Sequence, residues 1–113
     1  RLEVPLVHKV CEFYKLFHEC LKLFPKTEKY SLGQKIDCLI LEILALLLKA
    51  VHSPKDEKLQ SLMDADTKIN LLKILVRLTN EIKSLDNKKY IILEEKLQEI
   101  GRMAGGWIRS IKF

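Results

Sequence analysis

The chain has 113 residues, 48% of them hydrophobic, and only four glycines and three prolines. This length predicts one domain, residues 1–113, and the scarcity of helix-breaking residues favours an all-α protein. Lys and Arg outnumber Asp and Glu by 20 to 15, which gives a net charge of +5. Such an excess suggests a polyanionic partner, but a lysine-rich helical surface that only confers solubility has the same charge.

The apolar runs and the cysteines indicate the cellular compartment in which the protein is expected. The longest apolar run, Ile43 to Leu48, is far shorter than the about 20 residues of a transmembrane helix, so we expect no membrane partner. Cys11, Cys20 and Cys38 are odd in number and form no Cys-x-x-Cys pair, which argues against a disulfide framework and a zinc site. We therefore expect a reducing, cytoplasmic location and no cofactor.

The first predicted helix runs from near Pro5 to Phe24, where Pro25 prevents its continuation. Its apolar positions alternate spacings of three and four residues, which is typical of a helix with one buried face. These positions are Val10, Phe13, Phe17, Cys20 and Phe24.

The second helix is predicted to follow a connection over residues 25–30. Ser31 and Gln34 have the spacing of a capping box at its start. Gly33, in its first turn, has two interpretations that stay open: close approach of a neighbouring group, or a tolerated glycine near a helix end. The helix is predicted to end near His52, before Ser53-Pro54.

This second helix is apolar on almost every side over Ile36–Val51. Lys35, Glu42 and Lys49 recur every seven residues and mark one thin polar line. We expect that line to be the only strip left to solvent or to an ion pair between subunits. The remaining surface requires cover from the helix's own bundle and from neighbouring copies.

The third helix is predicted from about Asp56 to Leu85, and a turn at Asp86-Asn87 supplies capping oxygens for the fourth. The third helix carries two neighbouring apolar seams: Leu62, Ala65, Ile69, Leu72 and Val76; and Leu71, Leu75, Leu78, Ile82 and Leu85. The fourth helix carries one long seam: Tyr90, Leu93, Leu97, Ile100, Ala104, Trp107 and Ile111. Three late glycines, Gly101, Gly105 and Gly106, indicate either a close helix crossing or a frayed helix end.

Four amphipathic helices with short connections predict an all-α, up-down-up-down four-helix bundle. The second and third helices offer more apolar surface than one bundle covers. We therefore expect the bundles to assemble into a homo-oligomer.

The residues that could support catalysis are few. A di-iron bundle needs Glu-x-x-His pairs, but the residues three before His8, His18 and His52 are Pro5, Lys15 and Lys49. His8 and Cys11 have helical spacing, yet two ligands do not make a metal site. With no phosphate-binding loop either, we expect a protein that is not an enzyme.

Nucleic-acid binding has better support, because Lys and Arg on a rigid helical face neutralise phosphates without reading sequence. For each such residue a solvated helix face is an equally good explanation. Tyr30 lies near these residues in sequence and could stack on a base, whereas Trp107 falls on an apolar seam and is expected in the core. The candidates are Lys26, Lys29 and Lys35 around the first connection, Lys73 and Arg77 on the third helix, and Arg102, Arg109 and Lys112 on the fourth.

Two segments resemble a known superfamily, the bacterial four-helix bundle proteins. The segment Phe24-Pro-Lys-Thr-Glu-Lys-Tyr-Ser-Leu-Gly-Gln-Lys-Ile36 resembles their first connection. The segment Ile100-Gly-Arg-Met-Ala-Gly-Gly-Trp-Ile108 resembles the last helix of one branch, the accessory variability determinant proteins of diversity-generating retroelements. A related branch comprises proteins encoded in intervening sequences of bacterial 23S ribosomal RNA genes.

The resemblance implies a barrel-like homopentamer of bundles with a basic surface. It also implies binding to the retroelement reverse transcriptase and to its RNA or cDNA, in support of mutagenic retrohoming. The alternative is an oligomeric protein scaffold of the intervening-sequence type that does not bind nucleic acid.

Overall fold

The computed structural model describes residues 3–112, which form four long helices arranged as a bundle. Helix α1 spans Glu3–Leu21, α2 spans Gln34–His52, α3 spans Lys55–Glu81 and α4 spans Asn87–Lys112. Each helix packs against the one before it and α4 returns to pack against α1, so neighbouring helices are antiparallel. The bundle measures 44 × 22 × 19 Å, and its all-α architecture confirms the predicted fold class.

Helix α1 ends three residues before the predicted Phe24. The backbone N–H groups of Leu23 and Phe24 donate to the carbonyls of Cys20 (3.0 Å) and Leu21 (3.1 Å), which tightens the chain into a turn. The turn carries the Phe24 ring into the core, where it meets Phe17 edge-on with ring centroids 5.9 Å apart. The apolar seam therefore extends three residues beyond the end of the helix that it predicted.

The predicted capping box at Ser31 is wrong. Helical structure resumes at Lys26, directly after Pro25, as a turn over Lys26–Glu28 and a π-helix over Lys29–Gly33 that leads into α2. The Ser31 hydroxyl donates to the Thr27 carbonyl at 2.7 Å, as a hydroxyl inside a helix does. Pro25 accounts for the early start, since its extended backbone and fixed φ suit the position before a first helical turn.

Gly33 is a site of close approach. A Cβ there would overlap the Leu21 side chain and would lie 3.0 Å from the Glu28 carbonyl oxygen. The structure thus selects the first of the two interpretations of this glycine. The glycine lets the end of α1 pack tightly against the π-helix.

Helix α3 begins at Lys55 and ends at Glu81, short of the predicted Leu85. Lys83 has φ 66, and the Ser84 and Lys83 N–H groups donate to the carbonyls of Thr79 (2.9 Å) and Asn80 (3.0 Å). This is the Schellman arrangement, with lysine where glycine is usual. A lysine in the left-handed conformation is disfavoured by about 1 kcal/mol. The sequence therefore does not predict that the helix ends at this residue.

The predicted inner seams are confirmed. All five residues of the first α3 seam are buried, as are Leu93, Leu97, Ile100, Ala104 and Trp107 of α4. The second α3 seam differs, because only Leu85, beyond the helix, is buried; Leu71, Leu78 and Ile82 are exposed. On α2, Ile36, Leu39, Ile40, Ile43, Leu47 and Ala50 face the core.

The polar line of α2 is exposed to solvent, as predicted, and its ion pair lies within the bundle. Glu42 forms an ion pair with Lys68 of α3 at 3.0 Å, and this ion pair joins two helices of the same bundle. The line is also not the only exposed strip, because Leu41 and Leu48 are exposed as well. Helix α2 is therefore half covered by its own bundle and apolar on its outer side.

The late glycines do not fray α4, which continues to Lys112. A Cβ at Gly101 would meet the Lys73 ammonium of α3 at 2.8 Å. At Gly105 and Gly106, a Cβ would meet only the Arg109 guanidinium of the same helix. The glycines therefore make room for basic side chains, and no neighbouring backbone crosses close to them.

Candidate nucleic-acid interface

The predicted basic residues lie in three separate regions of the bundle. Lys26, Lys29 and Lys35 surround the start of α2, Lys73 and Arg77 lie in the middle of α3, and Arg102, Arg109 and Lys112 lie in the second half of α4. The first group surrounds the start of α2, at the end of the bundle where α4 also begins, whereas Arg109 lies 22 residues after the α4 start at Asn87, about 33 Å along the helix at 1.5 Å per residue. One continuous patch therefore cannot include every predicted residue.

Lys73 and Arg77 share one side of α3, as predicted, but each already contacts its own chain. The Lys73 ammonium lies over Gly101 and is half-buried between α3 and α4. Arg77 is exposed, and its Nε atom lies 3.9 Å from a Glu81 carboxylate oxygen. At that distance the pair is loose, so a phosphate could still compete for Arg77.

The basic residues of α4 differ in their surroundings. Arg102 is exposed, and Arg109 lies along the helix where Gly105 and Gly106 provide space. Lys112 lines a groove that also contains Asp64 and Asp66 of α3. The neighbouring carboxylates reduce the positive potential near Lys112, which makes it the weakest phosphate-binding candidate of the three.

The group around the start of α2 lies at the end of the bundle where α1 and α3 end and α2 and α4 begin. Lys26 is exposed and Lys29 is half-buried, while Lys35 lines a groove beside Glu42 and Lys68. Tyr30 projects from the π-helix with 67% of its surface exposed. Tyr30 thus keeps the exposure that stacking requires, whereas Trp107 is buried as predicted.

Sequence reasoning missed two further lysines at this end, Lys83 and Lys88. They lie in the turn between α3 and α4 and in the first turn of α4. The bundle topology brings this turn to the end of α1, where Lys89 and Asp86 are near enough to influence the Cys20 thiol. The antiparallel order of the predicted helices was the available signal, because it places the first and third connections at one end.

Lys9 and Lys22 of α1 and Lys89 of α4 are paired with acids. Lys22 lies 2.9 Å from Glu19 and lowers the pKa of that carboxyl. Lys9 joins α1 to α4 through Glu99 at 2.9 Å and lowers the pKa of Glu99 in the same way. The Lys89 backbone N–H, which donates to Asp86 at 2.8 Å, and then the Lys89 ammonium lower the pKa of Asp86.

Two other pKa shifts report on the packing between helices. Hydrogen bonding to Asp37 of α2 raises the pKa of Tyr14 on α1. Burial raises the pKa of the Cys20 thiol, which keeps it neutral and unreactive. Neither shift creates a nucleophile or a general base.

The outer sides of α2 and α3 expose apolar side chains, with the Lys68–Glu42 ion pair in the groove between the two helices. We define this α2/α3 apolar surface by Leu41 and Leu48 on α2 and by Leu71, Ile74 and Leu78 on α3. Lys35, Cys38, Leu71 and Leu75 line a groove between the two helices, and a neighbouring cavity of about 750 Å³ extends it to Tyr30. Exposed apolar side chains on two adjacent helices are unusual for an isolated soluble bundle.

Residues 3–112 contain neither a cluster of metal-binding side chains nor a membrane-spanning helix. No three His, Cys, Asp or Glu side chains in this part of the chain come together as metal ligands. None of the helices described here has the length and hydropathy needed to cross a membrane.

These features define a four-helix bundle with separated basic regions and exposed apolar residues on the outer sides of α2 and α3. The comparison with protein families then identifies the chain: residues 5–111 match the bAvd-like family, and the protein belongs to it. The match includes nearly all of the four helices and both segments that carry the resemblance. No curated protein matches the chain.

Proposed function

We propose that this protein is a non-enzymatic accessory protein of a diversity-generating retroelement. In this role it binds the reverse transcriptase and the RNA or cDNA through a basic surface, and it supports mutagenic retrohoming. The observation that carries the proposal is membership of the bAvd-like family over residues 5–111, which supports an accessory protein of the Avd type in general. The three free cysteines are compatible with function in the cytoplasm.

We further propose that the bundles assemble into a barrel-like homopentamer. The α2/α3 apolar surface supports self-association, because exposed leucines and isoleucines on two adjacent helices are stabilised by being covered. A ring needs heterologous contacts, in which this surface of one copy packs against a different surface of the next.

The basic residues support the nucleic-acid part of the proposal. Arg77, Arg102 and Arg109 project from helices and are exposed, so their charges are accessible to phosphates. Contacts of this kind are independent of sequence and depend strongly on salt. Such binding suits an accessory protein that holds a template or product while the reverse transcriptase acts on it.

The test is RNA binding by the intact protein at increasing salt, together with co-purification of a tagged reverse transcriptase from the same retroelement. We expect the affinity to fall by at least about 100-fold between about 50 and about 200 mM salt. The double substitution Lys73→Glu with Arg77→Glu should weaken binding by about tenfold and leave the oligomer intact. Binding that responds neither to salt nor to this substitution would contradict the proposal.

A protein-only scaffold of the intervening-sequence type is the second candidate. The ion pairs of Lys9, Lys22, Lys68 and Lys89 with acids of the same chain favour it, because they show lysines engaged in intrachain contacts. This function predicts an oligomer with no measurable RNA affinity even at low salt. The same titration therefore separates the two candidates.

A further inference from the structure

We propose that the end of the bundle that carries Lys26, Lys29, Lys83 and Lys88 binds single-stranded nucleic acid, with Tyr30 stacking on an unpaired base. We name these four lysines the lysine end. The inference rests on the proposed nucleic-acid function and adds a site for single strands to the arginines of α3 and α4.

The antiparallel fold places these residues at one end of the bundle, on two connections that are distant in sequence. Lys26, Lys29 and Tyr30 lie between α1 and α2, and Lys83 and Lys88 lie between α3 and α4. Tyr30 shares a cavity wall with Leu75, and α3 continues from Leu75 to its end at Glu81, a rise of about 9 Å. A short stretch of extended nucleic acid is long enough to contact both connections.

The described residues hold no lysine of the lysine end in an ion pair, although Lys83 lines a groove that also contains Asp86. Lys22 and Lys89 at the same end are paired with Glu19 and Asp86. An unpaired surface lysine is free to replace a counterion on a phosphate.

Two of these lysines occupy positions that local stability disfavours. Lys83 adopts the left-handed conformation, φ 66, in which glycine or asparagine is more stable. Lys88 lies in the first turn of α4, where acids are favoured, and that turn holds no acid. Helix α3 follows the usual preference, with Asp56 and Glu57 in its first turn. Helix stability thus explains neither lysine, whereas phosphate binding explains both.

Tyr30 indicates a single strand in preference to a duplex. The residue is 67% exposed and lies in the same connection as Lys26 and Lys29. Bases in a duplex are stacked on one another and present only their edges, so an aromatic side chain stacks on a base only where the strand is unpaired.

The first experiment compares two triple variants that lose the same charge. Lys26→Gln, Lys83→Gln and Lys88→Gln alter the lysine end, and Lys15→Gln, Lys55→Gln and Lys96→Gln alter exposed lysines elsewhere. Both are titrated with a short single-stranded RNA of mixed sequence. We expect the first variant to lose at least about tenfold in affinity, with the salt slope reduced by about 2, and the second to bind like the wild type.

The second experiment tests the aromatic contact. Tyr30→Leu preserves an apolar side chain and removes the aromatic ring. We expect it to weaken single-strand binding by at least about fivefold and to leave binding of a duplex of the same sequence unchanged. Circular dichroism and native mass of each variant establish that the bundle and its assembly are intact.

The outcomes separate this inference from the proposed function. If the wild type binds no RNA, the proposed nucleic-acid function fails, and this site fails with it. If the wild type binds and both triple variants lose affinity equally, net charge alone drives binding, and the proposal that the lysine end is a binding site is refuted. Equal losses for single strand and duplex in Tyr30→Leu would overturn the stacking contact.

Discussion

At the residue scale, Gly33 and Gly105 differ in the space around them, so substitution by alanine should have different effects on stability. A methyl group on Gly33 would overlap Leu21 and press on the Glu28 carbonyl, whereas one on Gly105 would meet only the flexible Arg109 guanidinium at 3.3 Å. Both residues have helical backbone, so alanine carries a propensity gain of about 1 kcal/mol at each.

We therefore expect Gly33→Ala to lower the free energy of unfolding by about 1–3 kcal/mol, because overpacking exceeds the propensity gain. Gly105→Ala should raise the free energy of unfolding by up to about 1 kcal/mol. Urea denaturation of both variants measures the difference. Equal effects of the two substitutions would show that Gly33 is not tightly enclosed.

At the element scale, the start of α4 depends on one carboxylate. Asp86 accepts from the Lys89 backbone N–H at 2.8 Å and from the Lys89 ammonium at 3.0 Å. These contacts hold the pKa of Asp86 below its ordinary value of 3.8. A group whose pKa is lowered in the folded state stabilises that state above its unfolded pKa, and the stabilisation is lost as the pH falls through the folded pKa.

The wild type should therefore lose stability as the pH falls below the unfolded pKa of Asp86 and through its lower folded pKa, in part through Asp86. Asp86→Asn keeps an oxygen that accepts the Lys89 N–H but cannot titrate, so its melting temperature should fall less over the same range. Thermal unfolding followed by circular dichroism gives both profiles. Parallel profiles would mean that Asp86 does not contribute to the acid response.

The helix boundaries show what the sequence can predict at this scale. Periodicity identified the core side of each helix, because burial of one side requires spacings of three and four. It placed two boundaries wrongly, because Phe24 remains apolar in a turn outside α1 and because Lys83 replaces the glycine expected after a helix. At the candidate site, Lys83 and Lys88 escaped notice since only the bundle topology places them beside Lys26.

At the scale of the whole molecule, ion pairs join the helices on two sides of the bundle. Helices α1 and α4 are joined by the Lys9–Glu99 ion pair, and His8 lies near Glu12 on the same side. Helices α2 and α3 are joined by the Lys68–Glu42 ion pair and also present the α2/α3 apolar surface, while α4 exposes Ile91 and Ile92. Two roles of α2 account for the apolar character of Ile36–Val51: one half supplies the bundle core, and we propose that the other contacts a neighbouring copy.

Neighbouring leucines on α2 separate folding from assembly. Leu47 is 0% exposed and Leu48 is 46% exposed. Leu47→Asp should unfold the bundle, since burying an unpaired charge costs at least several kcal/mol. Leu48→Asp should retain the helical circular dichroism spectrum and yet reduce the native mass, because the charge lies where the copies are proposed to meet. Ile92→Asp on α4 is the matched control, as Ile92 is 44% exposed on the other side, and its native mass should equal that of the wild type.

Native mass spectrometry distinguishes the outcomes of this prediction. A wild-type protein that is a stable monomer would refute the proposed pentamer directly. A Leu48→Asp variant with unchanged mass would leave the pentamer possible but would remove the α2/α3 apolar surface from its contacts. A reduced mass in Ile92→Asp alone would indicate that the contact between copies lies on α4. The outer half of α2 would then need another partner.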